Sequence, residues 1–260
     1  MSDDVAFTGE RLHADDPLFG VDLARHEAAY RIAATRLPAG PVLELGSGSG
    51  YGAAFLATQP GAVIALDRVA PLQASRGRAH FVRADLNGIP LKPRIFPLVL
   101  SFQVIEHLED PGPYLDAMAR VLAPGGSALI TTPNRLMSDG VNPFHVHEYR
   151  ADELTELLQT RFAEIEMRGI GASAPIRAYL EARSGRIQRI MRLDPLGLRN
   201  LLPRSLVEWL FARFAQLVRR GTQANEGMPD CSWKDFPSGP ADDDCLDLLA
   251  ICRSPRPGGL

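Results

Sequence analysis

Four glycines alternate with other residues in VLELGSGSGYGAAFLA, residues 42–57, between an apolar run and a helix-forming one. Glycine lets a ligand come close to the backbone and accepts positive φ. Gly46, Gly48 and Gly50 therefore point to a nucleotide-like ligand lying against the chain. Two aspartates follow at the ends of later apolar runs, Asp67 in VIALDR and Asp85 in VRADLNGIPL. A carboxylate at the first can accept hydrogen bonds from both hydroxyls of a ribose. At the second, Asp85 can bond an adenine amino group while Leu86 packs on the ring face. A further set of residues could move a proton. Glu106 and His107 stand together in VIEHLEDP, and His145 and His147 in FHVHEYR, where Glu148 follows His147 as an orienting partner and Tyr149 as a wall. A positioned base of this kind contributes roughly 10²–10⁴ in rate.

The glycines alone leave the ligand open. A GxGxxG fingerprint starting at Gly46 needs glycine at position 51, where Tyr51 stands; starting at Gly48, Ala53 meets the looser GxGxxA form. A dinucleotide, S-adenosylmethionine and a tight turn with no ligand all fit that pattern.

These residues need elements to hold them. The runs PVLEL, AVIAL, HFVRA, LVLSFQVI and SALITT are continuously apolar, as strands of a parallel sheet covered on both faces must be. YGAAFLAT, PYLDAMARVL and RADELTELL separate several of them with helical character, and VDLARHEAAYRIAATRL precedes the first, ended by Pro38 and Gly40. The alternation predicts a doubly wound α/β fold. FAEIEMRGI and CLDLLAICRS read as the last two strands, for a sheet of seven. The arginine-rich stretch between them, 172–240, is too long for a loop and reads as a helical insertion on a single domain spanning 1–260, with 1–38 as an N-terminal cap.

Composition excludes several classes. The 260 residues carry a net charge of -3 with 45% apolar content, ordinary for a soluble globular domain and unlike a general nucleic-acid binder. No apolar run is long enough to span a bilayer. The start, MSDDVAFTGE, lacks the apolar segment of a signal peptide. Cys231, Cys245 and Cys252 form no CxxC pair, so a reduced, cytoplasmic setting is expected.

Taken in order and spacing, ELGSGSG, LD, ADLNGIPL, FQVIEHL and LAPGG resemble the class I S-adenosylmethionine-dependent methyltransferases, in the ubiquinone-biosynthesis O-methyltransferase-like (type 11) branch. The resemblance covers about residues 40–170 and resumes at the last strand. It implies a Rossmann-like sheet and S-adenosylmethionine as cofactor. Gly46, Gly48 and Gly50 would admit the methionine portion, and Glu44 would hold the loop or the cofactor's amino group. Asp67 would bind ribose, Asp85 and Leu86 adenine, and Gln103 would lie beside the sulfonium. Two positions depart from the family's pattern: Pro97 replaces a frequent aspartate, and Gln103 stands where glutamate is common. Within bacterial members, FTGER and NPFHVHEY resemble segments of enzymes acting on glycans or small metabolites.

The expected reaction is methyl transfer to a small-molecule or glycan acceptor, O-methylation favoured, with Glu106, His107, His145 and His147 as the catalytic candidates. No metal is assigned. One alternative is a metal-dependent RNA 2′-O-methyltransferase, because small-RNA 3′-end enzymes resemble the chain around IEHL. Glu106, His107 and a later histidine would then hold a cation, against which Gln103 counts as a poor ligand for a hard ion. A second alternative is a regulatory module that binds S-adenosylmethionine without turnover. In the insertion, Arg183, Arg186, Arg189 and Arg192 repeat every three residues, and Leu206, Leu210, Phe214 and Leu217 form a stripe flanked by Trp209 and Phe211. That pattern fits helices packed on the core with a basic solvated face, or a lid attracting anionic substrates or an anionic membrane surface.

Overall fold

Val42–Leu45 (β1) is buried at every position although it carries Glu44, which identifies it as a central strand. In this computed structural model, residues 17–77, 79–191, 213, 217–224 and 227–256 are described. Beside β1 run Val63–Asp67 (β2), His80–Arg83 (β3), Phe96–Phe102 (β4) and Leu122–Pro133 (β5), all parallel. Phe162–Ile170 (β6), Ser238–Pro240 (β7) and Asp247–Pro255 (β8) complete the sheet in the order β3-β2-β1-β4-β5-β8-β6-β7. β8 is antiparallel to both β5 and β6, and β7 to β6. The sheet thus has eight strands where the apolar runs give seven. The additional one is a three-residue edge strand, SGP, whose residues carry no apolar pattern and pair only with the end of β6.

Helices cover both faces. Gly20–Ala34 (α1), Tyr51–Leu56 (α2) and Ala174–Met191 (α5) lie on one side, where Ala24, Ala28, Tyr30, Leu56, Ile176 and Tyr179 pack in one cluster. Gly112–Val121 (α3) and Ala151–Gln159 (α4) lie on the other, burying Tyr114, Leu115, Met118, Leu154 and Leu158. The buried face of α1 is mostly alanine, so the helix can lie close to the sheet. Pro97 falls inside β4, where the pairing with β5 shifts register between Phe96 and Leu98; a bulge tolerates the missing N–H.

The strand order reverses between β1, which leads outward to β2 and β3, and β4, which leads to β5. Ligands of open α/β sheets bind beyond the strand ends at that reversal. Both the glycine turn after β1 and Gln103 after β4 stand there. Of the stretch 172–240, residues 172–191, 213, 217–224 and 227–240 are described. Arg192, Leu206, Trp209, Leu210, Phe211 and Phe214 lie outside the described residues. Among the described residues, no helix is long and apolar enough to cross a membrane.

Candidate functional site

β1 ends at Leu45, and the chain turns through Gly46 and Gly48, with φ of 79° and 53°. Gly46 N–H donates to the Leu66 carbonyl of β2 at 2.8 Å, and Gly48 N–H to Asp67 Oδ2 at 2.7 Å. The second oxygen, Asp67 Oδ1, accepts from Val69 N–H at 2.9 Å. Asp67 therefore braces the glycine turn before it meets any ligand. Gly50, with φ of 83°, caps α2 and faces inward: a Cβ there would stand 2.8 Å from Phe81 and 2.9 Å from Pro71.

A cavity of about 1170 Å³ opens at this end of the strands. Gly46, Gly48, Asp67, Asp85, Leu86 and Gln103 line it, and so do Glu106, His107 and His145. Glu44 reaches it only through Tyr30, which lines the cavity and donates its hydroxyl to Glu44 Oε1. Asp85 Oδ1 accepts from Asn87 N–H at 2.8 Å, which fixes the short turn carrying Leu86.

Glu44 is buried, and among the described residues its Oε2 has no hydrogen-bond partner. Burial raises its carboxyl to about 7 from an ordinary value near 4.5, with the Tyr30 hydroxyl opposing and the Asp67 charge adding to the rise. The folded state holds this proton more tightly than the unfolded chain does. The stabilising contribution is thus full below about 4.5 and lost as pH rises through about 7. Over that window the loss amounts to about 3 kcal/mol. Urea titrations between pH 5 and 8 are expected to show the wild type losing stability and Glu44→Gln shedding that much of the slope; an unchanged slope would place the titration elsewhere.

The proton-transfer candidates come from two segments. Residues Ile105–His107 form a 3-10 turn after β4, and the loop after β5 is tied onto it. Val146 N–H donates to the Glu106 carbonyl at 2.7 Å, and His147 N–H to the same oxygen at 3.2 Å. Glu106 is fully buried; its Oε2 accepts from Thr132 Oγ1 at 3.1 Å, and among the described residues Oε1 has no partner. Burial raises this carboxyl to about 7, against the pull of His107. His107 Nδ1 lies 3.0 Å from the Phe144 carbonyl, and the His107 and His145 rings meet edge to face at 5.1 Å.

His145 Nδ1 lies 2.6 Å from Glu148 Oε1, and Ser138 Oγ donates to the same oxygen at 2.7 Å. Burial raises the Glu148 carboxyl, but the hydrogen bonds from His145 and Ser138 outweigh it and bring it below the ordinary value. Glu148 thus orients His145, three residues away, and not the adjacent His147. His147 is half exposed, leans on Tyr149 at 4.5 Å and approaches Glu153 of α4 at 3.9 Å, away from the cavity lining. The structure brings Glu106, His107 and His145 together and separates His147 from them.

Several cavity residues escape a reading of motifs. Arg25 of α1 lines the cavity, with Nε 2.6 Å from Asp247 Oδ2 and a second contact from Nη2 to Oδ1. Asp247 opens β8, is buried, and also accepts from Gln103 Nε2 at 3.1 Å. Gln103 itself has φ of 57° and donates its N–H to the Thr131 carbonyl. Asp22 of α1 accepts from Arg183 of α5 at 3.1 Å and from Arg219 at 3.2 Å. Burial raises the Asp22 carboxyl, but the two guanidiniums outweigh it and hold it well below the usual carboxylate range. The available signal was acids inside apolar text, such as Asp247 in CLDLLAIC.

A family profile described as a methyltransferase domain matches residues 43–130. The chain is 37% identical over 191 residues to a probable S-adenosylmethionine-dependent methyltransferase of Mycobacterium tuberculosis, covering 70% of this chain and 69% of that one. It is 42% identical over 171 residues to a probable S-adenosylmethionine-dependent methyltransferase of Mycolicibacterium smegmatis, covering 62% of this chain and 66% of the relative. Among solved structures, it is similar to an S-adenosylmethionine-dependent methyltransferase from Thermotoga maritima, a possible histamine N-methyltransferase. That match has a TM-score of 0.58 and 14% identity over 90% of this chain and 91% of the other. At that identity the likeness is one of fold.

Proposed function

The chain belongs to the S-adenosylmethionine-dependent methyltransferases, and from that premise we propose that it methylates a hydroxyl of a small-molecule or glycan acceptor. It is an enzyme, and S-adenosylmethionine is its methyl donor. The residues present fit that donor. A Cβ on Gly48 would meet no described atom within 4 Å, so the turn borders open space in the cavity. Asp67, Asp85 and Leu86 line the same cavity. In this reading Gly46 and Gly48 admit the methionine portion, Asp67 takes the ribose hydroxyls, and Asp85 with Leu86 takes the adenine. Gln103, tethered to Asp247 and Thr131, borders the sulfonium, and Glu44 supports the turn through Tyr30. Gly48→Ala is expected to cost roughly 1 kcal/mol of stability for its left-handed backbone. Donor affinity measured by calorimetry should fall at least tenfold, because the methyl group enters the space beside the turn. Equal affinity would put the donor elsewhere.

When bound, the donor supplies an electrophilic methyl carbon. This chain's residues then have two tasks: holding the acceptor oxygen in line, about 3–3.5 Å from that carbon, and easing loss of its proton. One observation carries the hydroxyl reading: a single cavity joins the glycine turn to Glu106, His107 and His145. A neutral amine could attack without first losing a proton, whereas a hydroxyl benefits from such a cluster. Easing that proton loss is accordingly assigned to these three, and His147 is left in a supporting place on the loop. The wall that α1, α5 and the loop after β5 contribute, with Arg25, Asp139, Asn142 and Arg183, offers hydrogen bonds suited to a polyhydroxylated acceptor.

The test is transfer of labelled methyl from S-adenosylmethionine into a fractionated cell extract, followed by identification of the labelled bond. Label in a small-molecule or glycan fraction, in a methyl ether stable to mild base, is expected. Label on nitrogen would overturn the hydroxyl reading, and label in RNA would move it to a nucleic-acid acceptor.

A further inference from the structure

We propose that Glu106, His107 and His145 form a binding site for a divalent first-row transition cation, open on its cavity side. Each of the three offers a ligand atom, and these atoms lie within 4.8 Å of one another. Ligands of a tetrahedral centre with bonds of about 2.1 Å stand roughly 3.4 Å apart, so the group draws together when a cation binds.

Three features of the cluster favour a cation over a structural packing of polar groups. The first is Glu106, fully buried with one carboxylate oxygen that no described residue satisfies. A buried polar atom left unpaired costs about 1–3 kcal/mol, more when charged, and a coordinated cation removes that cost. The second is the tautomer that the surroundings impose on both histidines. The neighbours of the two Nδ1 atoms, the Phe144 carbonyl and the Glu148 carboxylate, can only accept. Each Nδ1 must therefore carry the proton, and in the neutral rings the lone pair belongs to Nε2. Imidazoles that ligate metals are held in this way, one nitrogen donating to a carbonyl or carboxylate while the other coordinates. Glu148 is itself fixed by Ser138. The third is rigidity: Val146 and His147 N–H groups bind the Glu106 carbonyl, so the two ligand-bearing segments are fastened to each other.

Gln103, a poor ligand for a hard cation, does not enter the site. Its amide is turned to Thr131 and Asp247, so its identity places no limit on the cluster. Arg25, whose guanidinium lines the same cavity, is neutralised by Asp247. Two imidazole nitrogens and one carboxylate oxygen suit manganese, iron, cobalt or zinc better than calcium or magnesium. Three protein ligands leave coordination positions facing the cavity.

The use of the cation in catalysis rests on the hydroxyl reading above; its binding does not. In that use the acceptor hydroxyl releases its proton to solvent beside the cation. The oxygen lone pair forms the new C–O bond as the C–S bond breaks, with that electron pair going to sulfur. The products are a methyl ether, S-adenosylhomocysteine and one proton.

The experiment uses the full-length protein, stripped with a chelator, with neither donor nor acceptor present. Cobalt(II) is titrated by calorimetry and by its visible absorption, and zinc(II) and manganese(II) are titrated by calorimetry. One equivalent of cobalt with a ligand-field band is expected. Glu106→Gln and His145→Gln should each weaken binding at least tenfold, and His80→Gln, at an exposed position of β3, should leave it intact. Because a change at buried Glu106 can unfold the chain, the loop residue His145 carries the comparison if the first variant is not folded. Absence of stoichiometric binding, or equal affinity in wild type and His145→Gln, overturns the site. Cobalt binding as described, joined to label found on nitrogen, would uphold the cation site while removing the hydroxyl reading.

Discussion

Replacement of Asp67 by alanine is expected to weaken S-adenosylmethionine binding by roughly 10²–10³-fold while the protein stays folded. Each carboxylate oxygen has two acceptor positions. In this structure Oδ2 takes the Gly48 N–H and Oδ1 the Val69 N–H, so each retains one for a ribose hydroxyl. Two charge-assisted hydrogen bonds at about 1.5–3 kcal/mol each set the scale of the loss. The alanine variant additionally frees the glycine turn. Asp67→Asn, which keeps one acceptor oxygen, should fall between the two. Calorimetry measures the affinities, and circular dichroism checks the fold. Wild-type affinity in a folded alanine variant would take Asp67 out of the site.

His107→Ala should have the opposite profile: donor affinity within about twofold of wild type, with turnover lower by roughly 10²–10⁴. The ring lines the cavity and its Nδ1 is committed to Phe144, so any chemistry of this ring falls to Nε2. Loss of the ring should not release the loop, because Val146 and His147 remain bonded to the Glu106 carbonyl. Single-turnover measurements separate the chemical step from binding. Full activity would reduce His107 to a packing partner of His145.

Much of this molecule could be read from its text, and the failures have physical causes. The parallel strands were legible because burial on both faces makes them continuously apolar, and the glycine turn because only that backbone fits between β1 and α2. Ser238–Pro240 was not legible as a strand: its pairing is dictated by β6, not by its own residues. Gly50 stands in the same glycine pattern, and its missing Cβ makes room for Phe81 and Pro71. Glu148 follows His147 in the chain but serves His145, since neighbouring side chains diverge while a turn brings residues three apart together. Arg25 and Asp247 are 222 positions apart, and no local pattern predicts a pair that the fold alone assembles.

The strand order also sets a timetable for the nascent chain. β1 to β5 can assemble in order of synthesis, and with them the glycine turn, Asp67 and Glu106. β6 cannot join them directly, because β8 is seated between β5 and β6. Until Asp247–Pro255 leaves the ribosome, β6 has no place in the sheet and Arg25 lacks its counter-ion. At about 5–20 residues per second, residues 42–133 leave the ribosome several seconds before Asp247 does. A ribosome stalled before β8 would hold a chain whose β5 edge is unpaired on the side where β8 belongs.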